Sequence, residues 1–109
     1  MAIDEALAGR VREALGGVDG LNEKRMFGGL AFLVNGNMAV GVHGEDLIVR
    51  LAHEQTEEAL AEPHVRLFDM SGKPMKGWVL VGPAATASAG GLGLWVTRGL
   101  DFAESLPAK

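Results

Sequence analysis

Residues 26–42 read MFGGLAFLVNGNMAVGV, seventeen positions without a charge. The fold turns on how this stretch is read. It admits a glycine-rich phosphate loop, a membrane segment, or two strands joined by a tight turn. Asn35-Gly36 favours the last. A two-residue type I′ turn needs positive φ at both central positions, and Asn-Gly supplies that at least steric cost. Apolar runs flank it on both sides, so 26–34 and 37–43 read as antiparallel strands. A second turn follows at 43–46, where Gly44 suits the first central position of a type II′ turn. Residues 47–51 (LIVRL) are then the next strand.

These turns imply a register. Leu33 faces Met38, Phe32 faces Ala39 and Ala31 faces Val40. Val42 faces Leu47, Val40 faces Val49 and Met38 faces Leu51. Opposed residues share a sheet face. One face is then wholly apolar: Phe27, Ala31, Leu33, Met38, Val40, Val42, Leu47, Val49 and Leu51. The other carries Leu30, Phe32, Ala39, Gly41, His43, Asp46, Ile48 and Arg50, a mixed surface with a shallow floor.

Outside this stretch, residues 2–16 carry Ile3, Leu7, Val11 and Leu15 at helical spacing and stop at Gly16-Gly17. Residues 54–61 predict a short acidic helix ended by Glu62-Pro63. Residues 64–70 and 76–82 predict two more strands around a turn at 71–74. Residues 83–91 read as a loop. Leu92, Trp95, Val96, Gly99, Phe102, Ala103 and Leu106 predict a last helix, with Ser88 or a neighbour as its cap. The expected order is α-β-β-β-α-β-β-α, an α+β two-layer sandwich on an antiparallel sheet. No repeat or linker divides residues 1–109, so one domain is expected.

Composition narrows the chemistry. The 109 residues contain no cysteine, which removes disulfides, thiolate metal sites and cysteine nucleophiles. The N-terminal stretch mixes acids and arginines, unlike a signal peptide. The uncharged runs 26–44 and 77–97 are broken by Asn-Gly or rich in small residues, unlike a spanning helix. A cytoplasmic protein is expected. Net charge is −4, which disfavours direct nucleic-acid binding. Lys24, Arg25, Lys73 and Lys76 form the small basic clusters.

Motifs for catalysis are missing. Gly72-Lys73 lacks the Walker spacing, and Gly91-Leu92-Gly93 has Val96 where a dinucleotide loop needs glycine. His43, His53 and His64 have no metal-binding spacing, so neither metal nor cofactor is expected. His43 pairs with Asp46 across the turn instead. Ser71, Ser88 and Ser105 lie in no nucleophile motif. Trp78 and Trp95 read as core. Arg50 stands out, mid-strand on the mixed face, either as a solvated arginine or as an anchor in an interface.

Several segments together resemble the N-terminal domain of the TfoX/Sxy competence-regulator family. They are Lys24-Arg25-Met26-Phe27-Gly28-Gly29, Asn35-Gly36-Asn37-Met38 and Asp46 through Leu51. Phe68-Asp69-Met70, Gly72-Lys73-Pro74-Met75, Gly77-Trp78-Val79 and the tail from Trp95-Val96 to Leu106-Pro107 extend the likeness to about residues 5–109. The resemblance implies an α+β fold similar to secretion-chaperone-like domains, and a regulatory or interaction role without catalysis. It carries over no catalytic residue. Full-length relatives have a second, helical domain, and this chain corresponds to the first.

Three functions follow as expectations. The leading one is an interaction module with an unknown protein partner, self-associating as a dimer through Leu30, Phe32, Ile48 and Arg50. The second is a transcription co-regulator touching nucleic acid or polymerase through Lys24, Arg25, Lys73 and Lys76. The third is a ligand binder or enzyme with a pocket beside Arg50.

Overall fold

A computed structural model of the chain describes residues 3–26, 29–70 and 73–108; the side chains of residues 26, 69, 70 and 73–76 lie outside the description. The elements run α1 (Glu5–Ala14), β1 (Leu21–Met26), β2 (Gly29–Val34), β3 (Asn37–His43), β4 (Asp46–Arg50), α2 (His53–Leu60), β5 (Val65–Met70), β6 (Lys73–Val81), α3 (Pro83–Thr86) and α4 (Ala89–Glu104). The six strands form one antiparallel sheet in the order β1-β2-β3-β4-β6-β5. With helices on one face, this is the expected α+β sandwich.

The turns form as their residues dictate. Asn35 and Gly36 have φ of 52° and 86°, and Gly44 has φ of 60°, the positive values that type I′ and II′ turns require. Asp4 caps α1 by accepting from the Leu7 N–H, and Ser88 caps α4 by accepting from Gly91. Two elements are additions to the expected order. β1 reads LNEKRM, whose charges hide a strand; it lies at the sheet edge, where charged residues discourage further pairing. The short α3 occupies part of the expected loop, with Pro83 in its first turn.

The register needs one correction, and it moves a whole face. β3 and β4 pair as expected, Val40 with Val49 and Val42 with Leu47. Leu33 also faces Met38, but Phe32 then faces Val40 and Leu30 faces Val42. Ala39 is the extra residue of a β-bulge, and beyond a bulge the alternation of β3 slips by one against β2. Leu30 and Phe32 therefore join Val40, Val42, Leu47 and Val49 in the core beneath α1 and α4. Ala31 and Met38 go to the opposite face with Ile48, Phe68 and Leu80. Phe27, expected on the apolar face, lies outside the described residues.

Close backbone approach explains two glycines of the opening stretch. A Cβ on Gly29 would collide with the Val42 carbonyl, and one on Gly41 would lie 2.8 Å from the Leu30 carbonyl oxygen. The bulge also meets α4. A Cβ on Gly99 would lie 2.5 Å from the Ala39 carbonyl oxygen, so only glycine lets the helix cross there. Val34, Ala39 and Ala103 pack at that crossing.

The second face carries a buried cluster of its own. β3 and β5 stand three places apart, about 14 Å in a flat sheet. Yet the rings of His43 and Phe68 meet edge-on with centroids 6.0 Å apart. The sheet therefore curls, and Ala31, Met38, Ile48, Phe68 and Leu80 are buried in its concavity.

Candidate interaction surface

The four residues expected to form one interaction face do not share a surface. Leu30 and Phe32 are buried in the helix-side core, and Ile48 is buried in the concave cluster. Only Arg50 keeps partial exposure. Its position at the end of β4, opposite Trp78, puts the guanidinium 5.1 Å from the Trp78 ring and 5.3 Å from the Phe102 ring. Arg50 thus clamps β6 and α4 together through two cation–π contacts. Trp95 is buried as expected, while Trp78 is half-buried on the second face.

The basic residues divide as well. Lys24 and Arg25 are exposed on β1, opposite Ala31 and Leu30 respectively. Ala31 and Leu30 belong to opposite faces, so Lys24 and Arg25 point to opposite sides of the edge strand. The side chains of Lys73 and Lys76 lie outside the described residues.

Most arginines are used within the chain. Arg12 makes a bidentate pair with Glu23 at 2.6 and 2.9 Å. That bond holds the Glu23 carboxyl below its usual range and raises Arg12. His43 and Asp46 are cross-strand partners as expected, and the Asp46 carboxylate binds Arg66 at 2.7 Å. Arg10 donates to the carbonyl oxygens of Thr86, Ala87 and Ser88. Arg98 stacks on Trp95 at 4.6 Å and lies 3.9 Å from Glu58.

Buried polar side chains also fasten the fold. The Thr56 hydroxyl accepts from the Gly77 N–H at 3.1 Å, tying α2 to β6. Gly77 has φ of 93°, and its carbonyl accepts from Leu51 N at 2.7 Å. Asn37 donates to the Pro107 carbonyl at 2.9 Å and holds the tail after α4.

A model of the TfoX N-terminal domain matches residues 13–103. The chain belongs to this family. No curated protein and no solved structure matches it. Two residues of the segments that resemble the family have a physical role in this TfoX N-terminal domain. Gly77 before Trp78 provides the positive-φ anchor for Thr56, and Trp78 provides one ring for Arg50.

Among the described residues, two openings adjoin α4. One is a cleft of about 440 Å³ between the start of α2 and the second half of α4, lined by Ala52, Glu54, Gln55, Arg98, Asp101 and Phe102. One of its lining residues, Phe102, is a ring that Arg50 touches. Its wall mixes two acids with one arginine, and no group of three metal-ligating residues occurs among the described residues. The second is a groove of about 220 Å³ between α1 and α4, lined by Arg10, Glu13, Ala14, Ala89, Leu92 and Gly93. On the outer side of α4 stands Leu94, 58% exposed, the only exposed large apolar side chain among the described residues. Sequence reasoning missed Leu94 because it placed the exposed apolar surface on the sheet. The helical period showed it: Leu94 lies off the stripe of Leu92, Trp95, Val96 and Gly99. No helix among the described residues is long and apolar enough to cross a membrane.

Proposed function

We propose that this TfoX N-terminal domain is a regulatory module that acts by protein contact, including contact with its own copies, and without catalysis. Membership of a competence-regulator-like family supports a regulatory role. The observation that carries the mode of action is the use of its arginines. Of six in the chain, five are bound to the domain's own carboxylates, carbonyls or rings: Arg10, Arg12, Arg50, Arg66 and Arg98. Nucleic-acid recognition relies on such side chains reaching phosphates. With Lys24 and Arg25 on opposite sides of β1 and a net charge of −4, the surface suits proteins better than phosphate backbones.

The test is regulatory output. Deleting the gene should change the abundance of a defined set of transcripts, and restoring the wild-type chain should reverse the change. An unaltered transcript profile would contradict the reading. Fluorescence anisotropy with duplex DNA at low salt separates the alternative co-regulator mode. No binding is expected, and binding that falls steeply with salt would favour direct contact.

A further inference from the structure

We propose that α2 is a flap: it opens as one unit, between two fixed points on β6, while the sheet stays folded. Opening widens the cleft that α2 forms with α4. This device is separate from the proposed protein contact.

Two backbone bonds mark the ends of the flap. The Leu51 N–H donates to the Gly77 carbonyl at 2.7 Å just before α2, and the Gly82 N–H donates to the His64 carbonyl at 2.8 Å after it. Both fasten the chain to β6 or its end. Between them, among the described residues, one hydrogen bond ties α2 to the sheet, from the Gly77 N–H to the Thr56 hydroxyl at 3.1 Å. Gly77 therefore faces both ways. Its carbonyl belongs to the fixed frame and its N–H belongs to the flap.

Little apolar surface holds the flap down. The buried residues of α2 are Thr56 and Ala59, and Leu60 packs on the core only in part. By contrast α1 buries Leu7, Ala8 and Val11, and α4 buries Leu92, Trp95, Val96, Gly99 and Ala103. The eight residues of α2 also fall short of the roughly 12–15 that a helix needs to persist alone. An element with few buried apolar contacts opens at a lower free energy than the whole domain.

Capping and charge weaken it further. Asp4 and Ser88 cap α1 and α4, but Ala52 makes no side-chain cap for α2. The last turn carries Glu57 and Glu58 and no basic residue, against the negative end of the helix dipole. Glu54 and Glu58 stand four residues apart, a like-charge pair on one helix face. Across the cleft α4 adds Asp101. The facing cation is Arg98, stacked on Trp95 and 3.9 Å from a Glu58 side chain that is 80% exposed. A pair so exposed and so long holds little.

Native-state hydrogen exchange, followed by NMR over a series of low urea concentrations, tests the proposal. After correction for intrinsic rates, the amides of residues 57–61 should exchange at least about tenfold faster than those of β3 and β4. They should share one opening free energy with a shallow urea dependence, because opening exposes little surface. The Gly77 amide should follow α2, although Gly77 lies in β6, and the Leu51 amide should follow the sheet. E57K places a cation at the end of the helix dipole and three residues after Glu54, so it should slow exchange in α2 about threefold. Protection of α2 equal to that of β3 and β4, rates graded inward from the helix ends, a Gly77 amide that follows Leu51, or α2 rates indifferent to E57K would each overturn the proposal.

Discussion

Replacing Thr56 by Val should destabilise the domain through one buried backbone group. Thr56 is almost fully buried, and its hydroxyl both donates to the Ala52 carbonyl at 3.2 Å and accepts from Gly77 at 3.1 Å. Gly77 turns out of the ladder at φ 93°, so its N–H points at α2. Val has the shape of Thr and a similar helix propensity, so packing changes little. What changes is that the Gly77 N–H loses its acceptor inside the protein. Leaving such a donor unsatisfied costs about 1–3 kcal/mol. For a domain near this size that is a fall in Tm of roughly 4–12 °C. Thr56→Ser keeps the hydroxyl and removes one methyl, a loss of about 1 kcal/mol. Urea denaturation of wild type and both variants measures the difference. A Thr56→Val variant within about 0.5 kcal/mol of wild type, or one more stable than Thr56→Ser, would refute the account of the α2–β6 anchor.

Phe32→Ala should cost about 3–5 kcal/mol, as for a large aromatic removed from a core, whereas an interface role would leave the monomer's stability unchanged; equilibrium unfolding distinguishes them. Arg50→Ala should cost about 1–2 kcal/mol by removing contacts with two rings, read as a lower denaturation midpoint. Glu23→Gln should matter only where Glu23 is ionised. Its folded pKa lies below the unfolded value of about 4.3. The bond to Arg12 therefore contributes above that pH and is lost as pH falls through the folded pKa. The Tm gap between wild type and Glu23→Gln should be present at pH 7 and close in acid.

Local chemistry was legible in the sequence and its long-range sum was not. Asn35-Gly36 and Gly44 fixed two turns because positive φ is a property of single residues. The helix stripes fixed α1 and α4 for a similar reason, and Glu62-Pro63 marked the end of α2. The bulge at Ala39 has no such signature. It depends on α4 lying over β3, with Gly99 against the Ala39 carbonyl, a contact between residues sixty positions apart. That one residue exchanged Leu30 and Phe32 for Ala31 and Met38 across the sheet. β1 escaped notice because an edge strand can be charged on both sides. Arg50 was recognised as unusual, but its partners Trp78 and Phe102 come from two distant elements. Leu94 lies in a helix that was expected, on a face that was not considered.

The central claim is that the β-bulge at Ala39 turns Leu30 and Phe32 into the core beneath α1 and α4. Cross-strand NOEs in labelled wild-type protein test it most directly. Contacts should link Phe32 with Val40 and Leu30 with Val42. Contacts linking Phe32 with Ala39 and Ala31 with Val40, the register without a bulge, would contradict it.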